Sequence, residues 1–312
     1  MSQLLSTAVI TATGLTCKAF LNSGLCSITI SNLPVLLDAL QDQSRRKGQG
    51  LITVSNHLST LDDPVTWGVL PSRCYMNPRT IRWALGASDI MFTNPVFSAF
   101  FRNGQVIETF RGEGIFQPAL DAAIDKLNQG HWVHLFGEGK VCQPPRYPQV
   151  NGVAHLQRFK WGVGRIIMEA NILPTVIPMW LTGFDKLMPE GRRFPFKFFP
   201  KLGVKLGIAF GDPIPPARIL TLLDTLPNDE GRLARSSFSS SQGNEALHTY
   251  SITENPRGRR GATGEKFLVG QKAITQEREI DHTRSEVTTV VQRAVEDLGR
   301  KVSGNQLDRP LV

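Results

Sequence analysis

Cysteine is scarce in this chain of 312 residues, and the few present are scattered. Cys17, Cys26, Cys74 and Cys142 show no C-x-x-C spacing, which argues against a zinc site or a disulfide framework. Early basic residues are also few: Lys18 is the only one before Arg45, so the start does not read as an Arg-rich cleaved presequence or a secretory signal. Long apolar runs are missing too. Residues 19–37 carry no charge, yet they include Asn22, Ser23, Gly24, Ser27, Ser31, Asn32 and Pro34, and a bilayer-spanning helix needs about 20 predominantly apolar residues. The first 37 residues are therefore expected to lie on or dip into a membrane, or to form a helix packed on the domain. No G-x-S-x-G elbow is present, and no internal repeat.

What is present describes a globular protein with an apolar bias, at 41% hydrophobic and 20% charged residues, long enough to bury a substantial core. A formal net charge of +8 and an isoelectric point near 9.5 point to an acidic partner: a membrane surface, phosphate groups or nucleic acid. Composition does not choose among them. His131 and His134 are not read as a metal pair, because three apart on a strand they face opposite sides.

The chain is organised around residues 54–67, V-S-N-H-L-S-T-L-D-D-P-V-T-W. Residues 51–54 suit a buried strand, and Asp63 before Pro64 reads as a helix start with the aspartate as N-cap. His57 and Asp62 thus fall in a strand-to-helix corner. On one continuous helix an offset of five would hold them roughly 140° apart. Across a bend they can meet, and Asp62 can then fix one imidazole nitrogen while the other acts as a base. The nucleophile would be a substrate hydroxyl. Ser55 and Ser59 are given supporting roles.

Beyond the corner the pattern alternates. Strands are expected over 80–85, 105–108, 131–136, 175–181 and 203–210, and helices over 95–102, 117–128 and 160–170, with 105–136 as a β-α-β unit. This predicts an α/β fold with a central mixed sheet flanked by helices. Phe92, Phe97, Phe100 and Phe101 read either as core or as the lining of an acyl channel. F-R-G-E-G-I-F-Q over 110–117 follows a strand, so Arg111 and the amides around Gly112 and Gly114 can meet an anion. F-G-E-G-K-V over 136–141 ends the next strand, placing Glu138, Gly139 and Lys140 at the same sheet edge as His57. Glu138 is expected to position rather than to transfer protons.

R-F-K-W-G-V-G-R over 158–165 gives Arg158, Lys160 and Arg165, either a solvated basic face or a headgroup site. Residues 186–205 hold Lys186, Arg192, Arg193, Lys197, Lys201 and Lys205 against Glu190 alone, interleaved with Phe194, Phe196, Phe198 and Phe199. Each such cation adds about 1 kcal/mol of attraction to anionic lipid while the rings settle at the interface. Single-stranded nucleic acid also accepts such alternation, but no nucleic-acid fold signature accompanies it, and a membrane is preferred. Four regions follow: a membrane-associated segment over 1–40, a catalytic domain over 41–227, a polar insertion or linker over 228–272, and a helix within 273–312 that docks back. That helix is expected over 275–302, with Val287, Val291, Ala294 and Leu298 on one face and T-x-x-E at Thr283 to Glu286 as an internal cap.

N-H-x-x-x-x-D-D-P resembles the first block of the glycerolipid acyltransferases, and the likeness extends over most of residues 51–215. The resemblance implies that Arg111 binds a glycerolipid phosphate, that Glu138, Gly139 and Lys140 stand in the E-G-T or E-G-S block, and that residues 176–179 are the fourth block. Gly137 replaces a common proline. E-G-K-V and the run from Arg158 onward are most similar to the mitochondrial transacylase branch of the family. That branch implies acyl exchange between phospholipid and lysophospholipid in cardiolipin remodelling, with no cofactor, no metal and no nucleic acid. It places the protein at mitochondrial membranes facing the intermembrane space, with internal targeting, and leaves open an oligomer or a larger membrane complex. The conventional version of the family uses acyl-CoA with the same catalytic residues. A noncatalytic membrane-binding protein is the remaining alternative.

Overall fold

The computed structural model of the chain describes residues 3–196, 199–226 and 263–311. In chain order the helices are α1 (Gln3–Asn22), α2 (Leu33–Gln41), α3 (Asp62–Thr66), α4 (Ser72–Tyr75), α5 (Ser88–Met91), α6 (Pro95–Asn103), α7 (Pro118–Asn128), α8 (Gly162–Met168), α9 (Phe184–Leu187), α10 (Pro216–Leu223) and α11 (Thr263–Ser303). The strands are β1 (Ser27–Ser31), β2 (Leu51–Ser55), β3 (Trp83–Ala87), β4 (Val106–Thr109), β5 (Trp132–Phe136), β6 (Gln149–Val150), β7 (Val153–Ala154), β8 (Thr175–Thr182) and β9 (Lys205–Phe210).

Seven strands form one mixed sheet in the order β1-β9-β8-β2-β5-β3-β4, and β6 with β7 makes a separate small hairpin. The pairings β1–β9, β2–β5, β2–β8, β3–β4 and β3–β5 are parallel, while β8–β9 is antiparallel. β2 and β5 are central and carry near-continuous apolar runs, as strands covered on both faces must. Because β2, β3, β4, β5 and β8 run the same way, their C-terminal ends share one edge. The segments that follow β2, β3, β4, β5 and β8 carry His57, Asp89, Arg111, Glu138 and Asp185 respectively.

Several expectations need correction. β4 and β5 are joined by α7 but are not neighbours, since β3 lies between them. The strand expected over 80–85 begins only at Trp83, because Pro78–Thr80 turns as a 3-10 helix under an Asn77 cap. Within the N-terminal stretch expected to lie on or dip into a membrane, residues 27–41 join the domain. β1 extends the sheet and α2 buries Leu36 and Leu40 in the core. The apolar N-terminal helix is α1, which is long and apolar enough to cross a membrane and has only part of its surface buried. It rests on α3, α4 and α6, with Gly14 against the Tyr75 ring and Lys18 Nζ donating to the Leu70 carbonyl at 3.0 Å.

The C-terminal helix is continuous from Thr263, earlier than the expected start at 275, so Thr283 sits inside it rather than capping it. Residues 227–262 lie outside the described residues. α11 crosses β8 and α8, burying Val287, Val291 and Val295 completely, and Gly299 makes room for the Trp180 ring. Trp180 Nε1 donates to Ser303 Oγ at 2.9 Å.

Candidate active site

β2 stops because its next residue supplies ladder bonds from a side chain. Asn56, fully buried, donates through Nδ2 to the Leu181 carbonyl at 3.0 Å and accepts the Leu181 N–H at 2.9 Å, continuing the β2–β8 pairing after the backbone has turned away. His57 then swings out over Phe136, with ring centroids 4.0 Å apart and planes 19° from parallel.

Asp62, with no exposed surface, gathers the corner. Its Oδ2 accepts from His57 Nδ1 at 2.9 Å, from the Leu58 N–H at 2.5 Å and from the Ser59 N–H at 3.0 Å, and Oδ1 accepts the Ser59 hydroxyl at 2.8 Å. Four donors on one carboxylate leave it only the acceptor role, so Nδ1 of His57 carries the proton and Nε2 presents its lone pair. Nε2 has no hydrogen-bond partner among the described residues, and 19% of the His57 side chain remains exposed. The helix begins at Asp62 itself and not after an Asp63 cap. Asp63 instead forms an ion pair with Arg82 and accepts from Trp67 Nε1 at 3.0 Å.

The main chain of His57 is gripped by the loop after β5. Its N–H donates to Glu138 Oε2 at 3.1 Å and its carbonyl accepts the Cys142 N–H at 2.7 Å, while Gln143 Nε2 donates to the Leu58 carbonyl at 3.0 Å. Gly137 is required here, because a Cβ would come within 2.3 Å of the Phe159 ring. Its N–H donates to the Ser55 carbonyl, a bond that proline would lose. Glu138 is buried, and its Oε1 closes no hydrogen bond of ordinary geometry. Burial pushes its carboxyl up to about 7, against the lowering effect of the His57 amide and the nearby Gln157 amide and Cys142 thiol. The Cys142 thiol is itself pushed up to about 11, chiefly by burial, which makes it a poor nucleophile.

His134 lies behind Phe136. Trp132 Nε1 donates to Thr53 Oγ1, which lies 2.8 Å from His134 Nδ1, and burial lowers the ring to about 3. It is a neutral core histidine.

The predicted binding residues divide. Arg111 is exposed after β4, loosely paired with Asp89 at 3.3 Å, with Gly112 and Gly114 at positive φ and open space around them. Three strand positions separate β4 from β2, about 14 Å at ordinary strand spacing. Lys140 and Lys160 are exposed beside Glu138, the Lys160 stem lying over Gly139, and Arg158 donates to Ser285 Oγ at 2.9 Å. Arg165 departs from the expected basic face. It is buried, bonded to Asp121, to both Glu169 oxygens and to the Ile115 carbonyl, so its donors are spent inside the fold.

Phe194, Phe196 and Phe199 are exposed at 77%, 62% and 60%, Arg193 is exposed, and Arg192 NH1 donates to the Phe199 carbonyl at 2.6 Å. Lys197 and Phe198 lie outside the described residues. This stretch leaves the same sheet edge as His57, and Gln143 joins the two by bonding both the Leu58 and Met188 carbonyls. The Phe136 platform and the Cys142 and Gln143 contacts carried no sequence signal beyond their place around Glu138.

Residues 38–182 match the protein family described as Acyltransferase. A Dictyostelium discoideum protein named Taffazin is 38% identical over 216 residues, covering 68% of this chain and 70% of that one. The chain belongs to the tafazzin family of glycerolipid acyltransferases. Tafazzin of Drosophila melanogaster is 46% identical over 146 residues, 47% of this chain and 36% of that protein. N-acylphosphatidylethanolamine synthase of Arabidopsis thaliana is 40% identical over 211 residues, 66% and 69% of the two chains. The His57–Asp62 pair lies within the matched residues.

Glu138 gives a pH test. Unfolded, its carboxyl ionises near 4.5; folded, near 7. Between those values the folded state holds the extra proton, so raising the pH favours unfolding. The stability of the wild type relative to Glu138→Gln should fall by a few kcal/mol between about pH 5 and pH 7.5 in denaturant titrations. A pH-independent difference would contradict the assignment.

Proposed function

We propose that the protein is a phospholipid–lysophospholipid transacylase that moves fatty acyl chains between glycerolipids without CoA, in cardiolipin remodelling at mitochondrial membranes facing the intermembrane space. The observation that carries this reading is a His57 Nε2 with no hydroxyl or thiol of the described residues set against it. Ser59 is committed to Asp62, Ser55 Oγ donates to the Asn56 carbonyl, and Cys142 is buried. The nucleophile then comes with the substrate.

A glycerol hydroxyl is too weakly acidic to be ionised in advance, so His57 takes its proton as the oxygen attacks the donor ester carbonyl. Asp62 stabilises the imidazolium and keeps the ring oriented. The tetrahedral intermediate collapses, the donor's glycerol oxygen leaves, and His57 returns the proton to it. One ester replaces another, so the exchange runs in both directions. Arg111, Arg158, Lys140 and Lys160 receive headgroup phosphates, with Gly112 and Gly139 allowing close approach. Glu138 positions His57 through its main chain. The exposed rings at Phe194, Phe196 and Phe199, with Arg192 and Arg193, meet an anionic bilayer on the catalytic edge.

The 40% identity to the Arabidopsis thaliana N-acylphosphatidylethanolamine synthase favours one competing acceptor, the amine of phosphatidylethanolamine. The same base serves an amine and a hydroxyl, and acyl-CoA is the competing donor.

Purified protein in bilayers with labelled phosphatidylcholine and monolysocardiolipin, without CoA, should label cardiolipin, and His57→Ala or Asp62→Asn should lower the rate by about 10³-fold or more. Label that appears only with acyl-CoA, or only in N-acylated phosphatidylethanolamine when that lipid is offered, would replace the reading with the corresponding alternative. Reversing charge at Arg192 and Arg193 should weaken cosedimentation with anionic liposomes. Unchanged binding would remove that stretch from the membrane face.

A further inference from the structure

We propose that the C-terminal helix α11 belongs to the substrate-binding apparatus, with Gln292 and Glu296 as positioning residues for the loop that carries Arg158 and Lys160. This rests on the reading of those two cations as headgroup ligands.

Residues 155–160 form no helix or strand, so their buried N–H groups need partners from elsewhere. α11 provides them. Gln292 Oε1 accepts the Phe159 N–H at 3.0 Å, and Glu296 Oε2 accepts the Leu156 N–H at 3.0 Å. Glu296 is itself fixed from two directions: His155 Nδ1 lies 2.8 Å from Oε1, and Arg300 forms an ion pair with the same oxygen while donating to the Ala154 carbonyl at 2.9 Å. One turn back, Ser285 Oγ accepts from Arg158, and Thr288 Oγ1 accepts the Gly164 N–H at 3.1 Å.

These side chains recur at offsets of three and four, so they make one polar stripe along the helix, beside the apolar stripe of Val287, Val291 and Val295. A helix that only needed to dock would gain more from apolar residues along that stripe. Here the stripe is used to bond main chain.

The other side of the loop faces the catalytic turn. The Lys160 N–H donates to the Gly137 carbonyl at 2.8 Å, the Phe159 ring fills the space a Gly137 side chain would need, and the Lys160 stem covers Gly139. The loop is therefore fixed between α11 and the turn that holds Glu138. Phe159 is 1% exposed, so without Gln292 its N–H would be buried and unpaired, and the loop would have to shift to find a partner.

The test uses the full chain, a lysophospholipid acceptor in mixed vesicles, and amide hydrogen exchange read by mass spectrometry. Gln292→Leu should speed exchange across residues 155–160 and raise KM for the acceptor about tenfold, with kcat changed by less than about twofold. Gln292→Glu, which keeps the acceptor oxygen, should restore both. Val291→Ala, on the apolar stripe, should lower Tm without raising KM, as expected of damage to docking alone. Gln292→Leu with wild-type exchange or wild-type KM, or Val291→Ala with an equal rise in KM, would overturn the proposal. If Arg158→Ala with Lys160→Ala leaves KM unchanged while Gln292→Leu still frees the loop, the premise about the cations has failed. The proposal then falls with it, and the His57 assay without CoA decides separately whether the catalytic reading stands.

Discussion

A carboxylate with no exposed surface has to be surrounded by donors, and the donors around Asp62 are the ones that fold the candidate active-site corner. Two are main-chain N–H groups of the turn, one is the Ser59 hydroxyl and one is His57 Nδ1. The turn, the start of α3 and the tautomer of the base therefore depend on one side chain. Removing its charge would release the backbone and the imidazole together. That is why a five-residue spacing, which no single helix could use, works here.

The rest of the sheet brings other elements to that corner. Asn56 ends β2 without leaving the β8 edge unpaired, Phe136 stacks under the imidazole, and the loop after β5 holds His57 at both its N–H and its carbonyl. Parallel strands then set the order along the edge, with Arg111 three strands away on one side and the aromatic stretch after β8 on the other. Acyl exchange between two lipids needs a base, phosphate ligands and access from a membrane, and this edge supplies a candidate for each.

Much of this was legible in the sequence because local chemistry determined it. The strand-to-helix corner, the glycine-flanked Glu138 and the alternation of strands and helices follow from periodicity and turn residues over short windows. The fate of Arg165 was not legible. Its i+4 partner Glu169 can be seen in the sequence, but Asp121 reaches it from 44 residues away, and together they turn a presumed surface cation into a buried one. β1 was hidden because Ser27, Thr29 and Ser31 alternate with only two isoleucines on an edge strand, where polarity is tolerated. The polar stripe on α11 carried no sequence signal, since its partners lie more than 120 residues away. Tertiary pairing decided each of these, and pairing leaves little local pattern.

In the proposed mechanism no protein group takes up the acyl chain, because His57 Nε2 faces an acceptor brought by the substrate. Intact-mass measurement of the wild-type protein, acid-quenched after incubation with donor phospholipid alone, tests it most directly. The account predicts an unmodified mass at every time point, with acyl transfer starting only when lysophospholipid is added. An acyl adduct that forms on the protein and is discharged by the acceptor would contradict it.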